Sequence, residues 1–243
     1  MKGIILAGGR ATRLRPLTAI TSKQLLPVYN KPMIYYPIET LIKAGIKDIL
    51  IIIAPDYSGH FLNLLGDGKE FKAHFSYAVQ KEPKGLADAF IIGQDFIGDD
   101  NVTMILGDNI FDQDFSNEIK NFEKGGMIFA KQVPDPERSG VVEFDKDFKV
   151  LSIEEKPVHP KSNYVAVGLY TYDNRVCQFA KELKPSARGE IEIVDLHNRY
   201  LQMGELKVNV FDSMWEDAGT FNSLLRVSNI MAERYNKEHP GTE

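Results

Sequence analysis

Leu6-Ala7-Gly8-Gly9-Arg10-Ala11-Thr12-Arg13-Leu14 sets two glycines and two arginines directly after a short apolar run. A strand-to-glycine turn lets backbone N–H groups come close to phosphate oxygens. Lys23 follows ten residues after Arg13, in Ser22-Lys23-Gln24-Leu25-Leu26-Pro27. A triphosphate is a row of anionic groups, and loop amides with two or three cations suit it. The loop is not a G-x-G-x-x-G fingerprint, because no third glycine follows, and no Gly-Lys-Ser/Thr makes it a Walker A loop.

Three further groups could do chemistry. Asp108 follows the apolar run Val102 to Leu106, and ligands of open α/β sheets bind beyond the carboxyl ends of strands. A carboxylate there suits Mg²⁺, which takes one or two carboxylates plus phosphate oxygens; a plain turn cap before Asn109 is the alternative. Trp215-Glu216-Asp217-Ala218-Gly219-Thr220 offers a second carboxylate in Asp217, with Glu216 as competitor and a helix N-cap as the bland role. Glu154-Glu155-Lys156-Pro157 puts a lysine among acids before a rigid proline, with a related pairing in Ser186-Ala187-Arg188-Gly189-Glu190. A point charge for a phosphate beside a carboxylate for hydroxyls fits this pattern; a surface ion pair, worth little, is the alternative.

The elements that must position these residues alternate. Gly3 to Ala7, Ile49 to Ile53, Phe75 to Val79 and Val102 to Leu106 read as strands. Helices are expected at Pro32 to Ala44, Gly59 to Leu65 and Leu86 to Phe96. This βαβ rhythm predicts an α/β fold with a doubly wound, mostly parallel sheet. From about residue 127 the pattern turns to strands: Met127 to Lys131, Val141 to Phe144, Val150 to Ile153 and Val165 to Tyr172. Helices at Arg175 to Leu183 and Glu190 to Gln202, a strand at Leu206 to Phe211 and a helix at Phe221 to Tyr235 close the chain. The expectation is one domain, 1–243, with a nucleotide half to about 126 and a sugar-binding lobe after it.

Composition agrees. The chain has 243 residues, 43% of them hydrophobic, enough for a large core. One cysteine, Cys177, cannot make an internal disulfide and fits a buried role in a reducing compartment. Five scattered histidines make a zinc site an unfavoured choice. No apolar stretch approaches the roughly 20 residues that span a bilayer, and nothing resembles a signal peptide. A cytoplasmic protein without membrane or nucleic-acid partners is expected. The net charge is −5, yet residues 1–38 hold six cations and no acid. That separation marks the N-terminal loop as a place for a polyanion.

Taken together, these motifs resemble the glucose-1-phosphate thymidylyltransferase family over nearly the whole chain. Leu-Ala-Gly-Gly, Ser-Lys-Gln-Leu-Leu-Pro (22–27), Lys-Pro-Met-Ile-Tyr-Tyr-Pro (31–37) and Leu-Gly-Asp-Asn-Ile-Phe (106–111) carry the likeness. Asp-Pro-Glu-Arg (135–138), Gly-Val-Val-Glu-Phe-Asp (140–145), Glu-Glu-Lys-Pro (154–157), Lys-Pro-Ser-Ala-Arg-Gly-Glu (184–190) and Asp-Ala-Gly-Thr (217–220) continue it. The resemblance implies a Rossmann-like nucleotidyltransferase fold and transfer of a thymidylyl group from dTTP to glucose 1-phosphate, with Mg²⁺, the first step of dTDP-deoxysugar biosynthesis. It implies that Gly8, Gly9, Thr12 and Arg13 hold the triphosphate, with Leu6, Ala11, Lys23 and Gln24 as further nucleotide contacts. On the same resemblance Gln80, Pro83 and Gly85 would take the base, Asp108 would also contact the nucleotide, and Asp108 and Asp217 would hold the metal. Asn109, Gly140, Glu155, Lys156, Ala166 and Arg188 take the hexose phosphate, and Arg13, Lys23, Asp108 and Lys156 the catalytic roles. A homo-oligomer is also implied.

The sequence departs from the family pattern at Ala11, in place of a loop glycine, and at Ser139, in place of an aromatic residue. Ala166-Val167 stands for Val-Thr, Val194 for Thr and Phe221 for His. The chain stops soon after its last helix, so the C-terminal extension of longer members and part of their allosteric product site are expected to be absent. UTP or another hexose phosphate stays open as substrate, since one methyl separates thymine from uracil. A silent sugar-nucleotide sensor and a nicotinamide dehydrogenase are the rivals from other classes; the retained carboxylates speak against the first and the missing third glycine against the second.

Overall fold

Continuous apolar runs build the centre of the sheet, because strands covered on both faces need no polar alternation. The computed structural model describes residues 1–241; the last two residues of the expected 1–243 domain lie outside the described residues. In chain order the first elements are β1 (Lys2–Ala7), β2 (Pro27–Val28), β3 (Lys31–Pro32), α1 (Tyr35–Lys43), β4 (Asp48–Ile53), α2 (Ser58–Leu65) and β5 (His74–Val79). Next come α3 (Asp88–Ile92), α4 (Gln94–Ile97), β6 (Val102–Leu106), β7 (Asn109–Phe111), α5 (Ser116–Lys120), β8 (Gly126–Gln132), β9 (Gly140–Phe144) and β10 (Val150–Glu155). The last are β11 (Tyr164–Tyr172), α6 (Val176–Glu182), α7 (Ile193–Gln202), β12 (Leu206–Val210), β13 (Trp215–Asp217) and α8 (Phe221–Glu238).

Nine strands form one mixed sheet in the order β10-β9-β11-β6-β1-β4-β5, with β8 on β11 and β12 on β8. β6, β1, β4 and β5 run parallel. β11 is antiparallel to β6, β8 and β9. Alternate residues of β1 enter opposite cores: Ile4 and Leu6 pack with Leu50 and Met104 on one face, Ile5 with Ile49 and Ile105 on the other. A third cluster, including Val28, Tyr36, Ile110 and Val227, seats α8 against the β2–β3 hairpin. Cys177 is buried in the first core.

Several boundaries differ from expectation. Pro32 lies in the β2–β3 hairpin, not in a helical first turn; Met33 and Ile34 donate back to Leu26 and Gln24, and α1 starts at Tyr35. The expected helix at 86–96 is two short ones that meet at Gly93. A side chain there would meet Ile4 Cδ1 at 3.0 Å and the Ala89 carbonyl at 3.1 Å. Glu190 to Glu192 precede α7 rather than belonging to it. The cap of α8 is Thr220, in a capping box with Ser223, so Asp217 is free of that duty.

α7 carries one unexpected core residue. His197 is fully buried, its ring against Tyr170 and Tyr172, and neither ring nitrogen has a hydrogen-bond partner among the described residues. Burial holds its pKa down at about 3. An unfolded histidine titrates near 6.5, so between those values the unfolded chain binds the extra proton and stability falls as pH falls. Above about pH 6.5 the effect vanishes. We predict that wild type loses about 2 kcal/mol more than His197→Leu between pH 7 and pH 5, measured by urea unfolding at each pH. An identical loss in both would disprove the assignment.

Candidate active site

The β7–β13 ribbon brings two distant acids together. Asp217 pairs with Asn109 in its register, and the Ala218 N–H donates to the Asp108 carbonyl at 2.9 Å. Asp108 is buried at the end of β6, and the Lys23 ammonium makes a very short contact with its Oδ2. Asn109 Nδ2 donates to the other oxygen at 3.3 Å. Burial is the largest single influence on the Asp108 carboxyl and would raise it, but the charge of Lys23 together with the hydrogen bonds from Lys23 and Asn109 turns the net shift downward. For Lys23, burial pulls the pKa down and Asp108 more than offsets this, so both groups stay ionised. Asp217 opens toward the cavity but is crowded by protein on its other sides. That enclosure, and then the negative charge of Asp108, push its carboxyl up to about 6. With Lys23 counted, the acid pair keeps one net negative charge, partly offset by Arg13 nearby, and carboxylate oxygens of this kind fit a hard dication. No group of three or more His, Cys, Asp or Glu able to hold a metal occurs among the described residues.

A cavity of about 290 Å³ lies against these residues. Leu6, Gly9, Arg13, Lys23, Gln24, Gln80, Pro83, Gly85 and Asp108 line it, with Asp217. Gly8 sits behind the loop, where a side chain would fall 2.6 Å from Gln80 Oε1. Gln80 is itself fixed by donating to Asp88 at 2.9 Å. Ala11 adopts the left-handed conformation (φ 48°) and faces a neighbouring cavity instead. Thr12 begins a short turn and lines neither cavity.

A second cavity, about 310 Å³, holds all six residues expected on the sugar side: Asn109, Gly140, Glu155, Lys156, Ala166 and Arg188. Asn109 Oδ1 accepts from the Gly168 N–H at 3.1 Å and from Trp215 Nε1 at 2.7 Å. Lys156 has a positive φ of 46°, its N–H donates to the Ser139 carbonyl, and its ammonium lies 3.2 Å from Glu155. Arg188 reaches Glu192 at 2.9 Å and Glu155 at 3.3 Å. The two cavities share Leu86, Leu106, Glu190 and Asp217 as walls.

The nucleotidyl transferase family model matches residues 2–234. The glucose-1-phosphate thymidylyltransferase of Neisseria meningitidis serogroup A is 57% identical over 230 residues, covering 92% of this chain and 80% of the relative. The chain belongs to this family. A glucose-1-phosphate thymidylyltransferase of Mycobacterium tuberculosis is 52% identical, over 95% of this chain and 82% of its own. A solved structure described as a glucose-1-phosphate thymidylyltransferase of Bacillus anthracis, in complex with sucrose, superposes with a TM-score of 0.90 at 45% identity, over 95% of this chain and 94% of that one. A UDP-glucose pyrophosphorylase solved with UDP-glucose shares the fold, with a TM-score of 0.83 at 23% identity over 96% and 98% of the two chains.

In this nucleotidyl transferase the sequence motifs do not single out Leu86, Leu106 and Glu190, which line both cavities, or Tyr170, Trp215 and His197, which line the second. Of the departures, Ser139 and Val194 line the second cavity, whereas Val167 is in the core and Phe221 is exposed at the start of α8. Leu86 and Glu190 arrive together because Gly85 (φ +107°) lets the Ile191 N–H donate to the Lys84 carbonyl at 2.7 Å. A Cβ on Gly85 would lie 2.4 Å from the Ile191 carbonyl oxygen. Gly9, by contrast, has nothing within 4 Å of its would-be Cβ. Gly85→Ala is therefore expected to cost about 3 kcal/mol or more. Gly9→Ala should change stability by no more than about 0.5 kcal/mol. Thermal unfolding of the two variants checks the contrast.

Proposed function

We propose that this chain joins dTTP to glucose 1-phosphate, giving dTDP-glucose and pyrophosphate, with the nucleotide in the glycine-loop cavity and the sugar phosphate beside Lys156 and Arg188. The names of its relatives support this reading. The observation that carries it is the meeting of a cation-lined cavity with a second, hydroxyl-suited one across the shared walls Glu190 and Asp217. An oxygen of the sugar phosphate attacks the α-phosphorus; the new O–P bond forms as the bond to the bridging oxygen breaks, and pyrophosphate leaves with that electron pair.

The nucleophile needs no base. A phosphate monoester has a second pKa near 6 and is largely a dianion at neutral pH. His197, the histidine of the sugar cavity, is neutral and buried and plays no part in proton transfer. The barrier is repulsion between anions, so catalysis is positioning and charge compensation. Arg13 forms no ion pair among the described residues, and its guanidinium lies 2.8 Å from where a Gly219 side chain would be, beside Asp217. It is free to take the charge that develops on the α-phosphate and the leaving group. Lys23 cancels Asp108, Lys156 steers the sugar phosphate, and Glu155 accepts from sugar hydroxyls. Asp108 and Asp217 would hold Mg²⁺, which when bound supplies charge neutralisation and polarised phosphoryl oxygens. We assign residues up to about 126 mainly to the nucleotide and the remainder mainly to the sugar, in a cytoplasmic homo-oligomer. No helix among the described residues is long and apolar enough to cross a membrane.

Four deoxy- and four ribonucleoside triphosphates, each offered with several hexose 1-phosphates and Mg²⁺, test the reading by pyrophosphate release. dTTP with glucose 1-phosphate should give the highest kcat/KM; no release from any pair would sink the enzyme reading, and a UTP preference the thymidylyl one. Arg13→Ala should lower kcat by roughly 10² while leaving the melting temperature unchanged. Near-normal turnover would remove Arg13 from its role.

A further inference from the structure

The chain has nine arginines. The six outside the glycine loop, Arg138, Arg175, Arg188, Arg199, Arg226 and Arg234, each form an ion pair. Arg10, Arg13 and Arg15 form none among the described residues. Arg13 faces the nucleotide cavity, but Arg10 and Arg15 face another, of about 300 Å³, between the glycine loop and the segment after β4. Asp56 lines it too, so the lining remains net positive by one charge. Gly9 is a wall of both cavities, so the second adjoins the first at the glycine loop.

The walls are held before any ligand arrives. The Thr18 hydroxyl donates to the Ala11 carbonyl at 2.8 Å, fixing the left-handed turn beneath Arg10. The Ser22 hydroxyl donates to Gln24 Oε1 at 2.6 Å, and Gln24 lines the nucleotide cavity. The Tyr57 hydroxyl donates to the Ala19 carbonyl at 3.2 Å. Two guanidiniums in a preformed cleft, without carboxylate partners, match an oxyanion with several charged oxygens, which arginine binds with paired donors.

We infer that this adjoining cavity is a receiving site for inorganic pyrophosphate, held by Arg10 and Arg15 after it parts from the nucleotide. The inference rests on the reading of the neighbouring site as a dTTP site. Capture there draws the leaving group past Gly9 and away from the α-phosphorus. It also makes the free diphosphate a product inhibitor through contacts that the bound triphosphate does not use.

The test is the double variant Arg10→Gln/Arg15→Gln, assayed in both directions. In the reverse reaction, from dTDP-glucose and pyrophosphate, KM for pyrophosphate should rise about tenfold, the order expected from losing charge-assisted hydrogen bonds. KM for dTDP-glucose should stay within twofold, and the inhibition constant of pyrophosphate in the forward direction should rise in parallel. Unchanged pyrophosphate constants in the folded variant overturn the proposal. An equal rise in KM for dTTP also overturns it, by assigning the arginines to the bound triphosphate. Should wild type catalyse neither direction, the functional reading fails instead. Equilibrium dialysis of labelled pyrophosphate against wild type and variant then still decides the cavity: tighter binding by wild type upholds it, and equal binding rejects it.

Discussion

Placing Asp217 beside Asp108 is the constraint around which the site is built. Two carboxylates at close quarters repel, and the arrangement persists because the β7–β13 ribbon and the Ala218 to Asp108 hydrogen bond fix the backbone on which both are mounted. Lys23 supplies one compensating charge. Gly219 leaves room for Arg13 and Asp217 to approach, since any side chain there would collide with both. The remaining deficit of positive charge is what makes the place suited to a cation and to substrates that bring one.

The same charge balance explains why the loop arginines form no ion pair among the described residues. An arginine already paired to a carboxylate must give up that partner before it can serve a phosphate. Elsewhere the protein shows the paired state, as in the contacts of Arg175 with Asp173 and Glu205 and of Arg226 with Glu216. An acid-free stretch of 38 residues at the N-terminus keeps carboxylates of its own segment away from Arg10, Arg13 and Arg15. Loop charge and sheet topology therefore act together: β1 delivers the loop to the carboxyl edge, and β6 and its ribbon deliver the acids opposite.

Much of this is legible in the sequence. β1, β4 and β6 are continuous apolar runs because both faces of each are covered, so their type, and their extent to within one residue, follows from those runs. The charged motifs sit at strand ends, and the structure gathers most of them into two adjoining cavities. What stayed hidden came from tertiary contact. Pro32 carries a helix-start signal, yet hairpin pairing claims it. Gly93 interrupts a helical pattern because Ile4 and Leu50 press close. The strands β7 and β13 are three residues each, too short for periodicity to register. Leu86 and Glu190 are about a hundred residues apart, and only the positive φ that Gly85 permits hints at the approach joining them.

That approach has a practical corollary. The Ile191 N–H bonds to the Lys84 carbonyl, and the Ile191 carbonyl in turn receives the Ala87 N–H. The segments around Lys84 and Ile191, which border the first and second cavities, are thereby joined at one point. A change at residues 190–194, most of which line the second cavity, therefore reaches the wall of the first as well, and the reverse. The two specificities of this scaffold are not orthogonal handles, and directed evolution of either should be screened against both substrates at once.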